Sequence, residues 1–90
     1  MAFNSSIPKI ISGRVDVNIP TLNAIADKPV EFGRTVQSAK AVTITAEASQ
    51  IHYISSGIHT ITTTGFTIRA FKTAGSTGSH IYHWIAVVNY

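Results

Sequence analysis

Four histidines (His52, His59, His80 and His83) and four carboxylates (Asp16, Asp27, Glu31 and Glu47) are the residues of this chain that could act in catalysis or hold a metal. Their spacing argues against both. His80 and His83 are three positions apart, which on a strand puts them on opposite faces, so one copy cannot direct both at one ion. A three-fold axis could gather three copies of one histidine, yet polar strand positions at rims or interfaces need no metal. The carboxylates are scattered and have no nucleophile motif beside them, whereas acid/base catalysis needs paired titratable groups in a pocket. Ser55, Ser56 and Ser76 sit in turn-like contexts without a GxSxG elbow. The run AGSTGS at 74–79 lacks the lysine and the following helix of a phosphate-binding loop. With no cysteine, disulfides, thiolate metal sites and a cysteine nucleophile are all excluded. The expectation is a protein that is not an enzyme and uses no metal or cofactor.

Recognition chemistry is better represented. Loop 73–79, with Tyr53, Arg69, Thr73, His80 and Tyr82 as neighbours, offers hydroxyls, aromatic faces and a guanidinium. Such groups suit a sugar, by hydrogen bonds to its hydroxyls and by stacking on the apolar side of its ring. An ordinary hairpin loop has the same composition, so the five residues are candidates for glycan binding and no more.

The elements that must hold these residues are strands. Period-two alternation runs almost throughout: Ile11, Val15, Val17 and Ile19 against Arg14, Asp16 and Asn18, then Val30 and Phe32, then Val42, Ile44 and Ala46. Further segments fall at 50–54, 58–63, 66–72 and 81–88, rich in the Thr, Val and Ile that favour the pleated sheet. Turn signals are expected at Pro20 to Pro29, Gln37 to Lys40, SSG at 55–57, TTG at 63–65 and AGSTGS at 74–79. Residues 20–28 could form one short helical turn at most. The run TITTTGFTIRAF at 60–71 reads as a hairpin, with Gly65 supplying a positive φ and Phe66 and Ile68 facing inward. Thr67, Arg69 and Phe71 then face out. The final strand is apolar on both faces: Tyr82, Trp84, Ala86 and Val88 on one, Ile81, Ile85 and Val87 on the other. A strand covered on one side should alternate cleanly. Either another subunit or a long loop such as 20–29 must cover the second face, and the subunit is the preferred reading. Ile81, His83, Ile85 and Val87 are therefore the candidate interface.

Composition agrees with self-association. Ninety residues make one domain, and only 12% are charged, about half of the usual share of roughly 25%. The net charge of +3 reflects few acids; the seven Lys and Arg residues are scattered singly, unlike the basic face of a nucleic-acid binder. The opening MAFNSSIPKIISGRV has no apolar signal-peptide core, and no segment reaches the ~20 apolar residues of a membrane helix. Neither nucleic acid nor membrane insertion is expected, and synthesis in the cytoplasm is.

Taken in order, ISGRVDV, KPVEFGRTVQSAKAVTITA, ITTTGFTIRAF and WIAVVNY resemble H-type lectin domains, most closely those of bacteriophage tail fibre and baseplate proteins. The resemblance covers residues 10–90. It implies an all-β, six-stranded antiparallel β-sandwich that forms a homotrimer. In animal members, sugars such as N-acetylgalactosamine lie in shallow pockets at subunit boundaries. These are lined by a Trp-His pair after the Gly-Phe strand, a following Tyr, and an Arg on the preceding strand. Here those places are held by Thr73 and Ala74, by Ser79 or His80, and by Tyr53. The frame carries over and the sugar-binding residues do not; Trp84 matches a packing position.

The resemblance implies a virion protein made in a host cytoplasm, in one of two roles. One is a trimeric adhesion module that binds host-surface glycan. The other is a purely architectural capsid-decorating or tail-adaptor protein. Residues 1–9 read as an extended arm that could attach the domain to other virion proteins.

Overall fold

The structure, a computed structural model, describes residues 8–47 and 53–90. Six strands follow one another: β1 (Pro8–Ile19), β2 (Ile25–Glu31), β3 (Ser38–Glu47), β4 (Ile54–Ile61), β5 (Gly65–Lys72) and β6 (Gly78–Asn89). They form two three-stranded antiparallel sheets, β1-β6-β3 (sheet A) and β2-β5-β4 (sheet B). The all-β, two-sheet architecture expected from the alternation is present. Among the described residues no helix is long and apolar enough to cross a membrane.

Alternation explains the layering. Successive side chains on a strand point to opposite faces, so each strand offers one apolar set to the space between the sheets. Sheet A sends Val17, Ile19, Tyr82, Trp84, Ala86 and Val88 inward, and sheet B sends Val30, Phe66, Ile68 and Ala70. Ile19, Ile68, Val17 and Val88 are fully buried, and each contributes about 1.5–3 kcal/mol by leaving water. At one end Phe32, Phe66 and Trp84 meet with ring centroids 5.5–6.0 Å apart, the Phe66–Trp84 pair edge-to-face. Such a pair adds about 0.5–1.5 kcal/mol beyond its burial. Gly13, opposite Trp84 in the register, makes room for the indole: a Cβ there would lie 2.6 Å from its Nε1.

Several local expectations fail, each for a physical reason. Residues 25–29 are strand, not turn. They lie in β2, an edge strand, where Pro29 breaks no interior ladder. Ser55, Ser56 and Gly57 likewise lie inside β4, the other edge of sheet B. Gln37 to Lys40 is not a turn either, since β3 begins at Ser38 with a register shift between Ala39 and Ala41. The hairpin at 60–71 forms as expected, but Gly65 does not supply positive φ. That conformation belongs to Thr60 (φ 62°), at the bulge between His59 and Ile61. Gly65 is needed instead because a Cβ would meet the Val30 carbonyl oxygen at 2.1 Å. The threonines brace the turn: Thr62 Oγ1 accepts from the Gly65 and Thr64 amides at 3.2 and 3.3 Å, and the Thr62 amide donates to Gly65 O at 2.8 Å.

Loop 20–29 does not supply the alternative cover for the last strand. Residues 25–29 belong to sheet B, so they do not lie over sheet A. The expected arm at 1–9 falls outside the described residues except for Pro8 and Lys9, which pair with Asn89 and Val88 in the sheet. Residues 50–52 of the segment at 50–54, with His52, also lie outside them.

Candidate functional site

The five candidate glycan-binding residues do not share one surface. Tyr82 is completely buried and His80 is 7% exposed, both inside the sandwich. A sugar cannot reach the Tyr82 hydroxyl, which has no hydrogen-bond partner among the described residues. Placing them on a rim required the inward face of β6 to be the other one. The core claims Tyr82 because it shares parity with Trp84, Ala86 and Val88. Tyr53 and Thr73 do come together at one end of sheet B, where Tyr53 O accepts from the Thr73 amide at 3.1 Å. Arg69 stands apart from them on the outer face of that sheet.

Beneath this end lies a polar contact that the sequence did not suggest. Lys72, on the inward face of β5, is 1% exposed. Its Nζ donates to Ser76 O at 2.6 Å and lies 2.9 Å from His80 Nε2. His80 Nδ1 is 2.8 Å from Gly78 O. These contacts are all satisfied when Nδ1 carries the proton and donates to Gly78, leaving Nε2 to accept from the lysine. The pair thus ties loop 73–77 to both sheets. A lysine ending an alternating run looks exposed in sequence; only the inward parity of Phe66, Ile68 and Ala70 could have signalled otherwise.

Among the described residues, two faces have no element packed over them. On sheet A, the outward residues of β6 are Ile81, His83, Ile85 and Val87, with Ile10 and Ala41 flanking Val87 from β1 and β3. Ile10 is 74% exposed and Ile85 50%. His83 Nε2 lies 2.6 Å from Glu47 Oε2, and this bond holds the Glu47 carboxyl below its usual range. On sheet B, Arg69 grips Asp27 through two parallel bonds, Nε to Oδ1 at 2.8 Å and Nη2 to Oδ2 at 3.0 Å. The fork lowers the Asp27 carboxyl and raises the Arg69 guanidinium, chiefly through the hydrogen bonds themselves. Both pairs are exposed, so water screens them and they add little to stability. No group of three or more histidines and carboxylates that could hold a metal occurs among the described residues.

No protein-family model matches the chain, and no curated protein does. A solved structure does: the fibre of the P. aeruginosa R1 pyocin, as a fragment comprising C-terminal residues 323–701. The similarity has a TM-score of 0.69 at 17% identity and covers 87% of this chain. The chain spans about a fifth of that fragment, the match covering 22% of it. At this identity the likeness is one of fold, a fibre-type all-β fold, and brings no sugar-binding residue with it.

Proposed function

We propose that the chain is a non-enzymatic module at the surface of a phage or phage-tail-like particle. In this reading it is an H-type lectin-like sandwich that assembles as a homotrimer and recognises host-surface glycan. The observation that carries the proposal is the likeness to the pyocin fibre, which spans nearly the whole chain. The open face of sheet A supports the trimer. Ile81, Ile85 and Val87 line a central strand, and Ile10 extends the apolar surface onto β1. The contiguous apolar part is Ile85, Val87, Ile10 and Ala41, with Ile81 set off beyond the row Arg14, His83 and Thr45; such a patch on so small a domain is a common mark of association. Three copies on one axis raise a weak sugar affinity by avidity.

The test combines mass and adhesion. Light scattering after size exclusion should give three times the protomer mass. Fluorescent protein should coat cells of at least one strain in a bacterial panel and lose that binding after mild periodate oxidation of cell-surface sugars. A monomer that coats no strain would sink the reading. A trimer whose binding survives periodate would remove the glycan from it.

A further inference from the structure

The outer face of sheet B carries a depression of about 370 Å³ lined by Ile25, Ser55, Gly57, His59, Arg69 and Phe71 among others; Asp27 lies outside that lining and reaches it through its two bonds to Arg69. Register stacks two rows of side chains at this face: Ile25, Phe71 and Ser55, then Asp27, Arg69 and Gly57. We propose that it is a binding site for a neutral saccharide unit, with Phe71 as the apolar platform and the Asp27–Arg69 fork as the hydroxyl-binding pair. The proposal rests on the adhesion reading above and assigns it a site away from Tyr53 and Thr73.

Four observations carry it. First, residues directly opposite on antiparallel strands lie about 5 Å apart and successive same-face rows about 7 Å apart, so Phe71 and the fork are neighbours. Second, Gly57 stands opposite Arg69 where any other residue would project a side chain, and nothing lies within 4 Å of where its Cβ would be. The floor beside the guanidinium is therefore open. Third, the fork is only half used. Nε and Nη2 of Arg69 bond Asp27, while its Nη1 has no hydrogen-bond partner among the described residues. Each Asp27 oxygen takes one bond and can accept another. A vicinal diol fits that pattern, its hydroxyls donating to the carboxylate and accepting from Nη1. Fourth, apolar surface lies beside the polar pair, with Ile25 63% exposed next to Phe71. A pyranose has the same two-sided character, with apolar C–H groups on one side and hydroxyls at the rim.

Charge selects among sugars. The fork sums to zero, His59 is the other titratable side chain lining the depression, and an acidic sugar approaching Arg69 also meets the Asp27 carboxylate. Neutral hexopyranosides are therefore favoured over sialic or uronic acids. The volume is at the small end of the roughly 300–1,000 Å³ of ligand pockets, enough for one or two sugar units. A site so shallow binds weakly by itself, in the millimolar range typical of few contacts, and depends on multivalency.

The experiment is a titration of 15N-labelled full chain, followed by amide shifts. The probes are methyl α-galactoside, methyl α-glucoside, methyl α-mannoside, N-acetylgalactosamine, N-acetylglucosamine and N-acetylneuraminic acid, each to about 50 mM, above the expected millimolar dissociation constants. At least one neutral sugar should shift Ser55, Gly57 and Phe71 in a saturable way, with N-acetylneuraminic acid weaker. Gly57→Leu fills the open floor without backbone strain, and Arg69→Ala removes the fork; each should weaken binding at least tenfold while the remaining spectrum stays native. Shifts confined to other residues, undiminished binding by Gly57→Leu, a preference for the acidic sugar, or no shift with any probe would each overturn the site. If the wild-type chain still coats cells in a periodate-sensitive way, that failure belongs to this site alone. A wild-type trimer that coats no cells is the separate failure of the adhesion reading.

Discussion

Alanine at Gly65 would set a Cβ 2.1 Å from the backbone oxygen of Val30. An ordinary carbon–oxygen contact is about 3.3 Å or longer, so β2 and β5 must part by about 1 Å at the end of their ladder. The obstacle is backbone, with no flexible side chain to swing aside. Overpacking of this kind costs about 1–3 kcal/mol, and the rigid neighbour puts this case at the upper end. The same change at Gly57 meets nothing within 4 Å and should stabilise by up to about 1 kcal/mol, since alanine loses less freedom than glycine in a strand. The two single-methyl variants therefore differ by about 2–4 kcal/mol. With a urea slope of about 1.5 kcal/mol/M for a domain of this size, their midpoints separate by roughly 1–3 M. Urea unfolding at one fixed protomer concentration, followed by Trp84 fluorescence, reads the difference, the fixed concentration holding any assembly contribution constant. Equal midpoints for the two variants would refute close approach as the reason for glycine at 65.

Other expectations follow from the same geometry. Ile85→Asp, on the open face of sheet A, should leave the protomer folded and convert a trimer to monomer in size exclusion with light scattering; an unaltered trimer would remove this face from the interface. Lys72→Met deletes the donor to Ser76 O and His80 Nε2 and should cost about 1–3 kcal/mol by leaving buried acceptors unmatched, measurable by the same urea assay. Tyr82→Phe removes a buried hydroxyl without a partner among the described residues, so its thermal midpoint should match or exceed the wild type's. Asp27 and Glu47 are both held below the usual carboxylate range. Their contribution is therefore present above about pH 4 and is lost as pH falls through the lowered values. A thermal midpoint nearly flat from pH 7 to 5 that declines below about pH 4, less steeply in Arg69→Ala, is the expected profile.

The inward set of β1 and the parity of β5 were readable because alternation over several residues survives any tertiary context. The first five residues of β2 were not, since Asp27, Lys28 and Pro29 read locally as a turn and only the edge position in sheet B makes them tolerable. Gly65 was identified as a necessary glycine for the wrong reason: proximity to Val30 is a fact of the pairing of Gly65 with Glu31, 34 residues away, and leaves no local trace. The same holds for the fork. Arg69 and Asp27 are 42 residues apart, so outward parity marked Arg69 while nothing in its neighbourhood named its partner. Tyr82 and His80 were misplaced because a strand apolar on both faces does not say which face turns inward.

The strand order also fixes how much of the chain each sheet needs before it can close. Sheet B has all its strands once the chain has reached Lys72, with β4 and β5 joined by a tight turn. Sheet A does not. Its two edges, β1 and β3, never pair with each other, and both wait for β6 to enter between them. Until then two long strands carry unsatisfied backbone edges, the kind of surface that pairs with whatever strand is nearest. Where copies are crowded, the nearest strand can belong to a neighbouring copy. Pairing of β6 with β1 and β3 of its own chain is what removes those edges.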